Sequence, residues 1–333
     1  MARINDIAID LGTKYVTVYA KGLGIKLRQP AYVSIDRQTH RIISIGDQAY
    51  RTVGRTPGSM FVTRPLGQGE MNDFDITGEM IRYFVAQVIG KRFLSRPRAV
   101  MTVPSGVKDM EKKELISVMF DAGMRKTEII DRNIASALGA GLNIEGPAGN
   151  MVIDISAGST DIAVLANGTV AVHSLIRLGG DRFDESIIQY IRKKYNLLIG
   201  ELTAEQVKIT LGSAIRREID VVMEVTGRSL VIGMPKTQVL HASEIYDSLQ
   251  DSVSALIEAI QNVIERTPPQ LAGDIFDLGI TLTGGGSLLY GLAELISQTL
   301  RIPCKVAPDA KDCVLLGSAK IVDDPHRYRH LLR

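Results

Sequence analysis

The chain has 333 residues, room for about two domains of ordinary size, and 45% of them are hydrophobic, enough for a well-buried core. Its 39 basic and 37 acidic side chains nearly cancel, so net charge does not point to nucleic acid, and no apolar run approaches the ~20 residues needed to span a bilayer. Cys304 and Cys313 are too few and too widely spaced for a metal-knuckle pattern; two lone thiols fit a reducing compartment, with buried packing as their role. The amino terminus runs almost directly into "DIAIDLG", which leaves no room for a signal peptide. The expected location is the cytoplasm.

In chain order, strands are expected over "DIAIDLG", "TVYAKG", "RAVMTVP", "NMVIDIS", "TDIAVLA" and "LGITLTG". Helices are expected over 77–90, 108–121, 133–141, 180–195, 242–266, 287–299 and 312–321, most with apolar positions three and four apart. Pro104-Ser105 offers a start for the second helix and Gly123 a stop. The Pro268-Pro269 pair ends the long helix from Ala242, because proline cannot continue it. Alternating strands and helices predict the α/β class. With no low-complexity segment and no long linker, the domains should pack together.

One repeat is informative. "IDLGTKYVTVYA" at 9–20 resembles "IDISAGSTDIAVLA" at 153–166. Each places an Asp at a strand end, then a small-residue turn, then a returning strand. Asp10 and Asp154 lie 144 positions apart, about one domain length. Repeated hairpins at that spacing suggest two similar domains facing each other across a cleft.

Such turns present backbone N–H groups as a concave anion site. The first would use Gly12, Thr13, Lys14 and Tyr15, the second Ser156, Ala157, Gly158, Ser159 and Thr160. Two turns closing on one anion make a phosphate clamp. An Asp beside such a turn either caps it or holds waters of a Mg²⁺ ion, which keeps most of its hydration shell. Two in matched positions favour the metal for Asp10 and Asp154. A third cluster, "LTGGGSLLYG" at 282–291, follows a strand and opens a helix. Its glycines would let backbone approach a base or ribose, and a helix start favours negative charge.

These motifs, with "VGRTPG", "RPLGQG", "TVPSG", "ALGAGL", "LGGDRFDE", "YIRKKYNLLIGELTAEQVKI", "EVTGR" and "GMPKT", resemble the actin superfamily and, within it, the bacterial cell-shape proteins of the MreB/Mbl family. The match runs nearly end to end in one order. It implies an actin-like (ribonuclease H-like repeat) two-domain fold, each domain with a small subdomain, around an ATP–Mg²⁺ cleft. Domain I would comprise 1–145 plus 315–333, with a subdomain at about 33–65. Domain II would comprise 146–314, with a subdomain at about 181–244. Positions matching the family's nucleotide contacts are Gly12, Thr13, Asp154, Gly158, Asp181, Glu205, Lys208, Gly284, Gly285 and Gly286. Lys14, Tyr15, Ala157, Ser159 and Ser287 fall in the same turns. For Glu205 and Lys208 alone, a solvated helical face would be the plainer reading.

Departures from the family pattern matter as much. Where members carry Glu-Glu-Pro, this chain has Asp131-Arg132-Asn133. Arg132 stands at the position expected to orient the attacking water, and a guanidinium only donates. Asp131 keeps a carboxylate one residue early, aimed in a different direction. In the second turn Ser156 and Ala157 replace glycines and carry Cβ atoms that restrict close approach. In the first, Lys14 would add a charge contact to the γ-phosphate and Tyr15 would crowd it. Hydrolysis is therefore expected to be slowed or lost while nucleotide binding survives; an arginine-assisted variant stays open.

The resemblance also implies self-assembly into paired filaments on the inner face of the cell membrane, with wall-synthesis proteins and a membrane adaptor as partners and no nucleic acid. In "GKRFLSRPRA" at 90–99, Phe93 and Leu94 are flanked by four basic residues. That combination suits shallow insertion into anionic lipid, with a loop packed on the core as the alternative. The tail "HRYRHLLR" at 326–333 reads as a charged, solvated terminal helix. A sugar kinase would need an acceptor-pocket carboxylate and an Hsp70-type chaperone a further domain. The sequence offers a motif for neither. An actin-like scaffold that does not hydrolyse and modulates an active paralogue is the stronger rival.

Overall fold

The computed structural model describes residues 6–67, 70–90 and 96–332. Two five-stranded sheets share one connectivity. The first runs Lys126–Ile129, Arg98–Thr102, Asp6–Leu11, Tyr15–Ala20, Gly24–Pro30. The second runs Cys304–Val306, Ile280–Thr283, Asn150–Ile155, Thr160–Ala166, Thr169–Ile176. In each, the opening strand pairs antiparallel with the next strand in the chain and parallel with a strand that returns after a crossover. The repeat seen in sequence is thus a repeat of topology. Its register matches as well: Asp10 stands opposite Thr17, and Asp154 opposite Asp161.

Smaller units sit on each sheet. Val33–Asp36, Ile42–Ile45 and Met60–Thr63 form a three-stranded sheet beyond the first, and Leu197–Leu198, Val222–Ser229 and Pro235–His241 form another beyond the second. The helix Ala242–Arg266 buries Ile245, Leu249, Val253, Leu256, Ile260 and Val263, an apolar stripe at three- and four-residue steps. Each sheet has its own apolar core. A third core joins them, with Ala8 and Val100 from one sheet, Val152 and Leu165 from the other, and Ile134, Leu138, Leu315 and Ile321 between.

Those last four lie on two helices, Arg132–Gly139 and Cys313–Asp323, whose backbones touch. A Cβ on Gly139 would stand 1.7 Å from the Cys313 carbonyl oxygen, and one on Gly317 would stand 1.8 Å from that of Ala135. Only glycine permits this approach, and it carries the start of the shorter helix to the seam between the sheets.

Several expectations need correction. The helix expected over 287–299 begins at Leu292, after a 3₁₀ turn over Gly285–Leu288. The long helix ends at Arg266, just before Pro268-Pro269 as expected, but a further helix over Pro269–Leu278 follows, in which Pro269 occupies the first turn, where its missing N–H has no partner to lose. The basic tail is not a solvated helix. Tyr328 and Leu331 are buried in the shared core, and Arg327 pairs with Glu145 at 3.2 Å. Both thiols are pushed up to about 12 by burial, consistent with packing roles.

Candidate functional site

Equivalent hydrogen bonds close the two hairpin turns. Gly12 N–H donates to the Tyr15 carbonyl at 3.1 Å, and Ser156 N–H to that of Ser159 at 3.0 Å. The turns also meet, since Gly158 N–H donates to Thr13 Oγ1 at 3.1 Å. The two strand ends and their turns therefore meet at one seam, as the repeat predicts.

Into that seam the helix Arg132–Gly139 delivers its first side chain. Arg132 is buried. Its Nε donates to Asp154 Oδ2 (2.9 Å), one Nη to Asp10 Oδ1 (2.8 Å) and the other to Ser156 Oγ (3.1 Å). Asp10 Oδ1 also accepts from Thr102 Oγ1 (3.0 Å), while Asp154 accepts from Ser156 Oγ (3.0 Å) and Thr283 Oγ1 (3.2 Å). Burial works against the guanidinium charge, but Asp10, Asp154 and Asp161 outweigh it and raise its pKa above the ordinary arginine value. The Asp131 carboxylate caps its own helix by accepting from Asn133 N–H at 2.9 Å.

Ion pairs cross the rest of the cleft. Lys14 from the first turn reaches Glu205 on the helix Glu201–Leu211 at 2.6 Å. The Tyr50 hydroxyl is pushed up to about 12 by burial and by the nearby Glu205 charge. Arg64 pairs with Asp181 at 2.6 Å, and Arg177 pairs with Glu70. Lys208 Nζ donates to the Gly180 carbonyl at 2.8 Å and lies 2.9 Å from Asp184 Oδ1, off the hydrogen-bonding direction. Burial pushes the Asp184 carboxyl up to about 6 against the pull of Lys208.

Other residues singled out in the sequence are occupied with structure. The carbonyls of Ser156 and Ala157 accept from Gly180 and Asp181 N–H at 3.0 and 2.9 Å, so the second turn caps the helix Gly180–Tyr195. Gly284, at φ +79°, packs on Ile155, where a Cβ would meet its carbonyl oxygen at 2.4 Å. Gly286 packs on the Ile155 side chain, and Ser287 Oγ donates to the Gly284 carbonyl at 2.6 Å. Of the three glycines only Gly285 opens onto free space. Tyr15 is over a third exposed. Phe93 and Leu94 lie outside the described residues.

Four contributors were missed. Thr102 and Thr283, each at the end of its strand, anchor the two carboxylates. His173 Nε2 lies 3.0 Å from the buried Asp161 Oδ1. A cavity of about 440 Å³ borders Arg132, lined by Ser105, Lys112, Asp131, Asn133 and His173. The strand-end threonines carry a weak signal, in "TVP" and "LTG"; the others need the fold.

The donor chemistry does not fit a divalent cation. Both carboxylates expected to hold its waters are spent on Arg132, and among the described residues no group of three or more His, Cys, Asp or Glu gathers to hold a metal.

Two like-connected sheets whose hairpin turns meet define a protein with an actin-like fold. The family model described as "MreB/Mbl protein" matches residues 4–330, and the chain belongs to that family. It is 39% identical over 322 residues to the cell shape-determining protein Mbl of Bacillus cereus, covering 97% of each chain. It is 39% identical over 324 residues to the cell shape-determining protein MreB of Escherichia coli strain K12, covering 96% of this chain and 93% of that one. The crystal structure of MreB 5 of Spiroplasma citri bound to AMPPNP superposes with a TM-score of 0.92 at 32% identity, covering 99% of both.

Proposed function

We propose that this chain is an actin-like cytoskeletal protein that binds ATP between its two lobes and assembles into filaments that organise cell shape. The observation that carries this reading is the contact of the two hairpin turns, Gly158 N–H on Thr13 Oγ1, with cations and a carboxylate ranged along the same cleft. Family membership supports it, as does the AMPPNP bound by the Spiroplasma citri relative. We read 1–145 with 315–333 as one lobe and 146–314 as the other.

The residues present fit a nucleotide. Gly285 leaves open room for a flat group, and Lys14, Lys208 and Glu205 supply the charges a triphosphate and ribose require. A bound nucleotide supplies the phosphate charge that ties the two lobes together. Lys14 and Glu205 pair with each other at 2.6 Å; a triphosphate would draw on the Lys14 charge, and a ribose hydroxyl could donate to Glu205. Arg132 holds Asp10 and Asp154 in register across the seam, and Thr13 fixes the second turn. Sedimentation of the isolated protein with and without ATP tests the reading: a nucleotide-dependent pellet is expected, and an unchanged supernatant argues against it.

A hydrolysis-deficient scaffold that co-assembles with an active paralogue is the second reading, favoured by one observation. Among the groups where the turns meet, Arg132 takes the place of an acceptor and its N–H groups are directed at carboxylates. Phosphate release by the native chain is expected to fall below that of Arg132→Glu. Equal rates would remove this reading. Phe93 and Leu94 are our proposed anchors on the inner membrane face, many weak contacts along a polymer giving avidity. Phe93→Ala with Leu94→Ala is expected to abolish liposome pelleting while sparing assembly.

A further inference from the structure

Two acidic side chains, Asp10 and Asp154, meet where the sheets join, and a third, Asp161, stands across the strand pair from Asp154. Asp10 is nearly buried, Asp154 and Asp161 are fully so, and one Asp161 oxygen finds no hydrogen-bond donor. Carboxylates crowded this way cannot all remain ionised without a cation among them. In a nucleotide cleft that cation is expected to be divalent and to arrive with the nucleotide. Here a cation is already part of the chain. The guanidinium of Arg132 bridges Asp10 and Asp154 at 2.8 and 2.9 Å, the oxygens otherwise expected to hold the waters of an ion.

Its position argues against an accident of packing. Arg132 is the first residue of its helix, the end where the backbone dipole is positive and a cation is disfavoured. Burial adds a desolvation penalty of several kcal/mol for an unpaired ion. Only the carboxylates offset both costs. The geometry is also directional: three of the five N–H donors are spent on Asp10, Asp154 and Ser156, which leaves two N–H donors for an anion. An ion at the same place would have to displace those bonds first.

We propose that Arg132 is the resident cation of this cleft, replacing Mg²⁺ at Asp10 and Asp154, so that the chain binds nucleoside triphosphate without a divalent metal. The inference rests on the nucleotide-binding reading above and concerns the metal requirement of that same site. Phosphate is then met by the charge of Lys14 and the two uncommitted N–H donors of Arg132, and the carboxylates act as anchors for the arginine.

The test measures affinity for a fluorescent ATP analogue, and the melting shift it produces, in excess Mg²⁺ and again in excess EDTA. For the native chain the two affinities should agree within about threefold. For Arg132→Glu, which returns an acid to the acidic cluster, EDTA should weaken binding by about tenfold or more, because only a metal can then neutralise the site. If that variant does not fold, Arg132→Gln keeps donors without charge and should show the same direction. A native chain that loses about tenfold in EDTA overturns the proposal. So does a Gln or Glu variant that remains indifferent to metal, since Arg132 would then not be the cause. A native chain that binds the analogue under neither condition overturns the nucleotide reading, and this one with it.

Discussion

The two hairpins align residue for residue. Seven positions separate Asp10 from Thr17 and Asp154 from Asp161. Gly12 and Ser156 make the same turn-closing bond. They differ in what the shared frame carries. The first turn holds Lys14, which leaves its own sheet to pair with Glu205; the second holds Gly158 at the equivalent position, whose N–H serves Thr13. Opposite the strand-end Asp the first hairpin has Thr17, whereas the second has Asp161, a buried carboxylate facing another. Like charges directly across strands repel. The first hairpin thus exports a cation to the cleft and the second concentrates acid there, with Arg132 as the joint between them.

Removing that joint should produce the largest effect. Arg132→Met is expected to cost about 3–5 kcal/mol of unfolding free energy, because it leaves buried carboxylates uncompensated. A urea melt measures it. A cost below about 1 kcal/mol would mean that the two hairpins are independently satisfied. The next effect tests how the joint is delivered. Gly317→Ala puts a methyl 1.8 Å from the Ala135 carbonyl and must spread the helix pair that carries Arg132, at about 3 kcal/mol. Gly273→Ala is the control: it meets nothing within 4 Å on the helix Pro269–Leu278 and should be neutral or slightly stabilising.

Much of this frame is legible in the sequence because it is local. A period-two strand, an Asp and a small-residue turn recur at a spacing of one domain, and the register follows from the turn length. The role of Arg132 is not local. Its three partners come from positions 10, 154 and 156, and the direction of its side chain depends on a helix crossing set by Gly139 and Gly317. From sequence, Arg132 marks the loss of an acceptor. In the fold it is also the gain of a cation. Asp131 illustrates the same limit: as a carboxylate it suits catalysis, but as the residue before a helix it caps. Gly284 and Gly286 are required by Ile155 behind them rather than by open room in front. The helix Asp47–Tyr50 is too short to leave a period, and the tail was misjudged because its basic residues outnumber Tyr328 and Leu331, which dock it.

A smaller effect concerns the cation that the first hairpin exports. Lys14→Met removes the 2.6 Å pair with Glu205, both side chains being mostly buried. The expected loss is about 1 kcal/mol, at the upper end for exposed ion pairs because both side chains are mostly buried. No loss in a urea melt would mean that the pair contributes nothing without nucleotide.

The smallest effect isolates the second difference, Asp161 against Thr17. His173 lies 3.0 Å from Asp161, and that hydrogen bond raises the imidazole pKa above its ordinary value, with burial opposing and the Asp161 charge adding to it. A base whose folded pKa is raised takes up a proton on folding, so the stabilisation is fully present below the unfolded value of about 6.5. It is lost as pH rises through the higher folded value. His173 is about a third exposed, so solvent screening limits the effect to about 0.5 kcal/mol. His173→Gln should flatten the fall in melting temperature between slightly acid and slightly alkaline pH. Asp161→Thr, which gives the second hairpin the residue of the first, should flatten it equally. If the native slope survives both changes, the titrating group lies elsewhere, and the acid that distinguishes the second hairpin is balanced by Arg132 alone.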